Sequence, residues 1–92
     1  MKHYKVIIEP EARHNLQDIY DFISINYTKI KAIRFLQKLQ ESINSLAFIP
    51  EFCYAIKDEN TRDMVANGYI ICYHVHGDHV HVVAIFKQKT TI

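Results

Sequence analysis

Net charge is nearly absent from this chain: 11 Lys and Arg face 10 Asp and Glu, for a formal +1. A protein that grips many phosphates does so with a strongly cationic surface, so this balance argues against charge-driven capture of nucleic acid. Cysteine is also scarce. Cys53 and Cys72 have neither zinc-finger nor CxxC spacing, and reduced thiols packed as small hydrophobes are expected. No apolar run approaches the roughly 20 residues of a membrane span. The opening MKHYKVIIEPEARH lacks the apolar block of a secretory signal. The expectation is therefore a cytoplasmic protein without membrane contact. Repeats, low-complexity segments and internal boundaries are missing too, which points to one domain over residues 1–92. What is present is hydrophobic substance, 49% of residues, enough to exclude a disordered chain.

Twelve of those residues fall in one stretch, Tyr69–Phe86, YIICYHVHGDHVHVVAIF. β-Branched and aromatic residues run up to Gly77-Asp78 and resume after it, the pattern of two strands joined by a two-residue turn. With His76 and His79 flanking the turn, His74 falls opposite His81, Tyr73 opposite Val82, Cys72 opposite Val83, Ile71 opposite Ala84 and Tyr69 opposite Phe86. One face then carries Tyr69, Ile71, Tyr73, Val75, Val80, Val82, Ala84 and Phe86 and needs a cover. The other carries Ile70, Cys72, Val83, Ile85 and four histidines.

The cover comes from earlier in the chain. A short apolar run, His3–Ile8, reads as a strand ended by Glu9-Pro10, with proline at its favoured place in a first helical turn. Ala12, Leu16, Ile19, Tyr20, Ile23 and Tyr27 recur at helical spacing. After the break Asn26-Tyr27-Thr28, the period resumes with Ala32, Phe35 or Leu36, Leu39, Ile43 and Leu46, ending before Pro50. So short a link makes the two helices antiparallel neighbours. Phe52–Lys57 reads as a short strand, Asp58-Glu59-Asn60 as a turn, and Arg62–Ala66 as a strand entering Asn67-Gly68. Lys87–Ile92 reads as a polar tail. The fold class is α+β, ordered β-α-α-β-β-β, with a helical hairpin packed on one face of a small twisted, antiparallel-rich sheet. So thin a core gains appreciably from a bound partner.

Three segments carry a resemblance: VIIEPEARHNLQDIYDFI, AIRFLQKLQESINSLAFIPEF and TRDMVANGYIICYHVHGDHVHVVAIF. A strand running into P-E-A, a helix with L-x-x-I-Y-D-F-I, a second with A-x-x-F-L-x-x-L, a helix-ending proline, and R-x-M ahead of Y-I-I-C-Y together resemble the RelE/ParE family of bacterial type II toxins. The likeness spans nearly the whole chain. It implies the β-α-α-β-β-β fold, no cofactor, growth arrest by the free protein, and silencing by a cognate antitoxin. It also leaves open a homodimer or a toxin–antitoxin heterotetramer. RelE-like members cut mRNA on the ribosome, whereas ParE-like members poison DNA gyrase without hydrolytic chemistry of their own.

The residues weigh toward the second branch. RNA cleavage needs a base or polarising group, cations at the phosphate and an acid for the leaving oxygen. RelE-like sequences commonly place an arginine after the first tyrosine of the penultimate strand and a tyrosine or histidine near the C-terminus. Here that first position is Ile70, and the tail FKQKTTI has neither. Arg62, Lys87 and Lys89 match recurrent basic positions, as catalytic groups if the chain is an mRNA interferase and as target-binding groups otherwise. The bland readings are an exposed pair of Arg62 with Asp63 or Glu59, worth about 0–1 kcal/mol, and a solvated lysine tail that blocks edge pairing. Tyr69 and Tyr73 share the apolar face, where packing is expected rather than catalysis. The expectation is thus ParE-like interference with gyrase. A ribosome-dependent interferase is the alternative, and an inactive member that keeps antitoxin binding is a third.

His74, His76, His79 and His81 form the remaining cluster. Imidazoles at i and i+2 on paired strands can share Zn²⁺ or Ni²⁺. Strand-end histidines are more often simply solvated, the resemblance implies no metal, and none is expected from it.

Overall fold

A computed structural model describes residues 3–48, 55–56 and 61–89, with backbone only at 55–56. The described elements are β1 (Lys5–Ile8), α1 (Pro10–Asn26), α2 (Lys29–Ser45), β2 (Ala55–Ile56), β3 (Thr61–Ala66), β4 (Tyr69–His76) and β5 (His79–Lys87). They form one five-stranded sheet in the order β1-β5-β4-β3-β2. β1 runs parallel to β5, and the other neighbours are antiparallel. The expected α+β order and helical cover are therefore present.

Both helices start as the sequence indicates. Pro10 occupies the first turn of α1, and Thr28 caps α2 by accepting from the Lys31 N–H at 3.1 Å. The stripe Ala12, Ile19, Leu39, Ile43 and Leu46 packs on Met64, Ala66, Ile71, Tyr73, Val80, Val82 and Ile85 to make the core, and Ala32 is buried as well. Tyr73, with no exposed surface, is the largest side chain wholly inside. Tyr69 joins at the rim, edge-on to Phe35 of α2 with ring centroids 5.6 Å apart. At the far end the Tyr4 N–H donates to the Ala47 carbonyl at 2.7 Å, tying the start of the sheet to the end of α2.

Three expectations are corrected. Tyr27 does not continue the buried stripe of α1: it is the C-cap and is 62% exposed, because the chain leaves helical geometry there to turn into α2. The first strand begins at Lys5 rather than His3. The third correction concerns hairpin register. His76 pairs with His79, His74 with His81 and Tyr73 with Val82, but a bulge follows, and Cys72 then pairs with Ala84, Ile71 with Ile85 and Tyr69 with Lys87.

Val83 is the extra residue, so beyond it every β5 side chain is displaced by one position. Ile85 consequently turns into the core and Phe86 turns out, 42% exposed, the reverse of simple alternation. The cause lies in α1. β1 pairs with β5 only as far as Val82, and three residues later the Ile85 N–H donates to Asn15 Oδ1 at 2.9 Å. A side chain from the helix thus takes over where the neighbouring strand has ended, satisfying a donor that would otherwise be buried unpaired.

The turns have the chemistry that their glycines suggest. Asn67 and Gly68 both have positive φ, 52° and 82°, and Gly77 alone does so in the second turn, at 59°. Those are the patterns of type I′ and II′ hairpins. Cys72 is buried. Cys53, the Asp58-Glu59-Asn60 turn, most of the Phe52–Lys57 strand apart from Ala55–Ile56, and the end of the polar tail lie outside the described residues. No helix among the described residues is long and apolar enough to cross a membrane.

Candidate functional site

Two surfaces can meet other molecules: the sheet face away from the helices, and the outer side of the helical pair. On the sheet, paired residues share a face, so register locates each candidate. Arg62 pairs with Tyr73 and Lys87 with Tyr69. They lie on strands flanking β4 on opposite sides, four residues apart along it, which is about 13 Å lengthwise and about 10 Å across. Lys89 lies beyond the end of β5 and, like Lys87, is exposed. The fold does not gather these three cations around one point. Arg62 is half-buried, its Nε enclosed without a hydrogen-bond partner among the described residues, and Asp63 beside it on the strand points to the opposite face.

Position 70 sits in an apolar row on the open face. Val65 pairs with Ile70 and Ile70 with Phe86, placing three hydrophobic side chains abreast on β3, β4 and β5. Val65 is 57% exposed. Toward the turn the same face becomes polar. His81 Nδ1–H donates to Glu9 Oε1 at 2.7 Å, His79 Nδ1–H to Asp78 Oδ1 at 2.7 Å, and His74 Nδ1 lies 2.9 Å from Thr61 Oγ1. The His79 and His81 rings stack with centroids 6.2 Å apart. As the rings stand, no three metal-ligating groups converge among the described residues.

Across the helices runs an open groove of about 400 Å³. Ile8, Leu16, Tyr20 and Leu36 line its floor, with Arg13, Gln17 and Gln40 around it. Around the end of the helical hairpin Phe22, Ile25, Ile30 and Ile33 are left in solvent, Ile25 at 80% exposure. Helical spacing finds the buried stripe and passes over these four. The signal for them is their position: apolar residues outside the stripe of an otherwise amphipathic helix have no core to enter. Glu9 and Asn15 were equally hidden, since each acts on a residue about 70 positions away.

This arrangement has known counterparts. The family model for the ParE toxin of the type II toxin–antitoxin system parDE matches residues 6–92. The chain belongs to the ParE toxin family. No protein of curated function matches it in sequence. Among solved structures, the chromosomal ParDE toxin–antitoxin system from P. aeruginosa superposes with a TM-score of 0.84 at 15% identity, over 95% of this chain and 98% of that one. The toxin–antitoxin complex RelBE2 from Mycobacterium tuberculosis superposes at 0.69 with 16% identity, over 94% and 99%. At such identity the likeness is one of fold, and it extends to both the ParE and RelE arms. In this ParE-family toxin the shared scaffold is the sheet with its helical roof. The histidine-rich turn and the row at Ile70 are read from this chain's own residues.

Proposed function

We propose that this type II toxin acts by binding rather than by cutting: it interferes with DNA gyrase and is neutralised by a cognate antitoxin. The observation that carries this reading is the open face around position 70. A ribonuclease site needs cationic and acid–base groups converging on one phosphate. Here Ile70 lies between Val65 and Phe86, and Arg62 and Lys87 are separated by four residues along β4. An apolar row suits a protein surface better than a phosphate, since interface cores are apolar. Lys87 and Lys89 are then target-binding groups. The match to the ParE model favours the same branch.

The antitoxin is proposed to fold a disordered C-terminal segment along the helical pair and the sheet edge. The groove over Ile8, Leu16, Tyr20 and Leu36 supplies the apolar anchors that a helix seeks. The assembly would be a toxin–antitoxin heterotetramer, with a homodimer of the chain as the alternative.

The test is a pair of assays on purified protein. Inhibition of gyrase supercoiling, with no cleavage of mRNA on translating ribosomes, is the expected outcome. Intact supercoiling with mRNA cut would reject the reading. One observation supports the interferase instead, the enclosed Arg62 Nε without a partner among the described residues. Under that alternative the triple variant Arg62→Ala, Lys87→Ala, Lys89→Ala loses toxicity through lost cleavage.

A further inference from the structure

The segment His74–His81 reads HVHGDHVH, a near-palindrome about its turn. Register makes it a rectangle of imidazoles, with His76 facing His79 and His74 facing His81 on the side away from the helices. Directly opposed Cβ atoms lie about 4.5–5.5 Å apart, and residues two apart on a strand about 7 Å. A point above the centre is therefore within comparable reach of all four side chains.

Nδ1 of His79, His81 and His74 is engaged by Asp78 Oδ1, Glu9 Oε1 and Thr61 Oγ1, at 2.7, 2.7 and 2.9 Å. A ligating histidine characteristically gives its other ring nitrogen to a carboxylate, carbonyl or hydroxyl, which fixes the tautomer and presents Nε2 to the ion. Three of the four rings already have that support, from three different segments of the chain. His76 is exposed, and the His79 side chain is 43% exposed, so both can turn inward at surface rates. Such rotation is required: the His79 and His81 rings now stack 6.2 Å apart, and no three donors meet.

We infer that the β4–β5 turn is a site for one divalent transition-metal ion of the Zn²⁺, Ni²⁺ and Cu²⁺ class, taken through the Nε2 atoms of His74, His76, His79 and His81. Imidazole donors select such ions over Mg²⁺ and Ca²⁺, which prefer oxygen. The bound ion would clamp β4 to β5 at the turn. Through Glu9 it would also join the β1–α1 junction to the sheet, stabilising the folded chain by mass action. This inference stands apart from the choice of target.

The experiment is calorimetric titration of the full chain with ZnCl₂, with MgCl₂ in parallel, and the melting temperature followed in each. One Zn²⁺ per chain, a raised Tm and no response to Mg²⁺ are expected. His76→Ala with His79→Ala should abolish binding, whereas His3→Ala with His14→Ala, at the two histidines outside the turn, should leave it unchanged. Glu9→Gln should weaken Zn²⁺ binding by about 10–100-fold, the cost of removing a supporting partner. Absence of heat, or wild-type affinity in the His76/His79 variant, overturns the site. If that variant fails to fold, Glu9→Gln decides: unchanged affinity overturns it.

Discussion

The two ends of the β4–β5 hairpin follow different rules. Near the turn, from His76–His79 to Tyr73–Val82, pairing is what Gly77-Asp78 dictates and every side chain faces the side that alternation assigns. Past Val83 the pairing is displaced by one residue, Ile85 enters the core and Phe86 leaves it. A turn controls register only until something distant intervenes. Here the intervention is α1, whose Asn15 accepts from the Ile85 N–H where β1 no longer reaches. Local chemistry governs the first half of the hairpin and tertiary structure the second.

Substitutions can separate the two regimes. The largest loss is expected at the boundary, where Tyr73, with no exposed surface, packs under both helices. Tyr73→Ala should cost about 3–5 kcal/mol, as for other large aromatic truncations in cores, read from the midpoint of urea unfolding. Next comes the bulge itself. Asn15→Ala leaves the Ile85 N–H without its acceptor and should cost about 1–3 kcal/mol. Amide exchange should accelerate at Ile85 and stay slow at Val80, and equal acceleration at both would mean that the two halves are not independent. Gly77→Ala probes the turn: a Cβ meets nothing within 4 Å, so only the positive φ matters. The loss should be about 1–2 kcal/mol, with faster exchange confined to the tip. Glu9→Gln, at a half-exposed pair, should change the stability of the metal-free chain by only about 0–1 kcal/mol. A larger effect in thermal unfolding would make the pair a structural tie in its own right.

What could be read beforehand divides along the same line. The helical stripes, Pro10 in the first turn of α1, the break before α2 and the turn at Gly77-Asp78 are local patterns, and helical period and turn chemistry reveal them. The bulge at Val83 left no local sign, because Val82-Val83-Ala84 reads as an uninterrupted strand. The supports from Asn15 and Glu9 were invisible for a related reason: each joins groups that only the fold brings together. At the candidate surfaces, Ile70 was legible as a departure from a ribonuclease pattern, and the histidines were legible as a cluster. Their three different hydrogen-bond partners were not, and neither was the exposure of Phe22, Ile25, Ile30 and Ile33, which helical spacing alone would class with other helix residues.

The claim that function rests on most heavily is that this toxin stops growth by engaging gyrase with a surface lacking nuclease chemistry. Induction in bacterial cells, with thymidine and methionine incorporation followed through the first minutes, tests it most directly. DNA synthesis should fall first while protein synthesis continues. An immediate fall in methionine incorporation, with mRNA cut within codons and thymidine uptake intact, would contradict it.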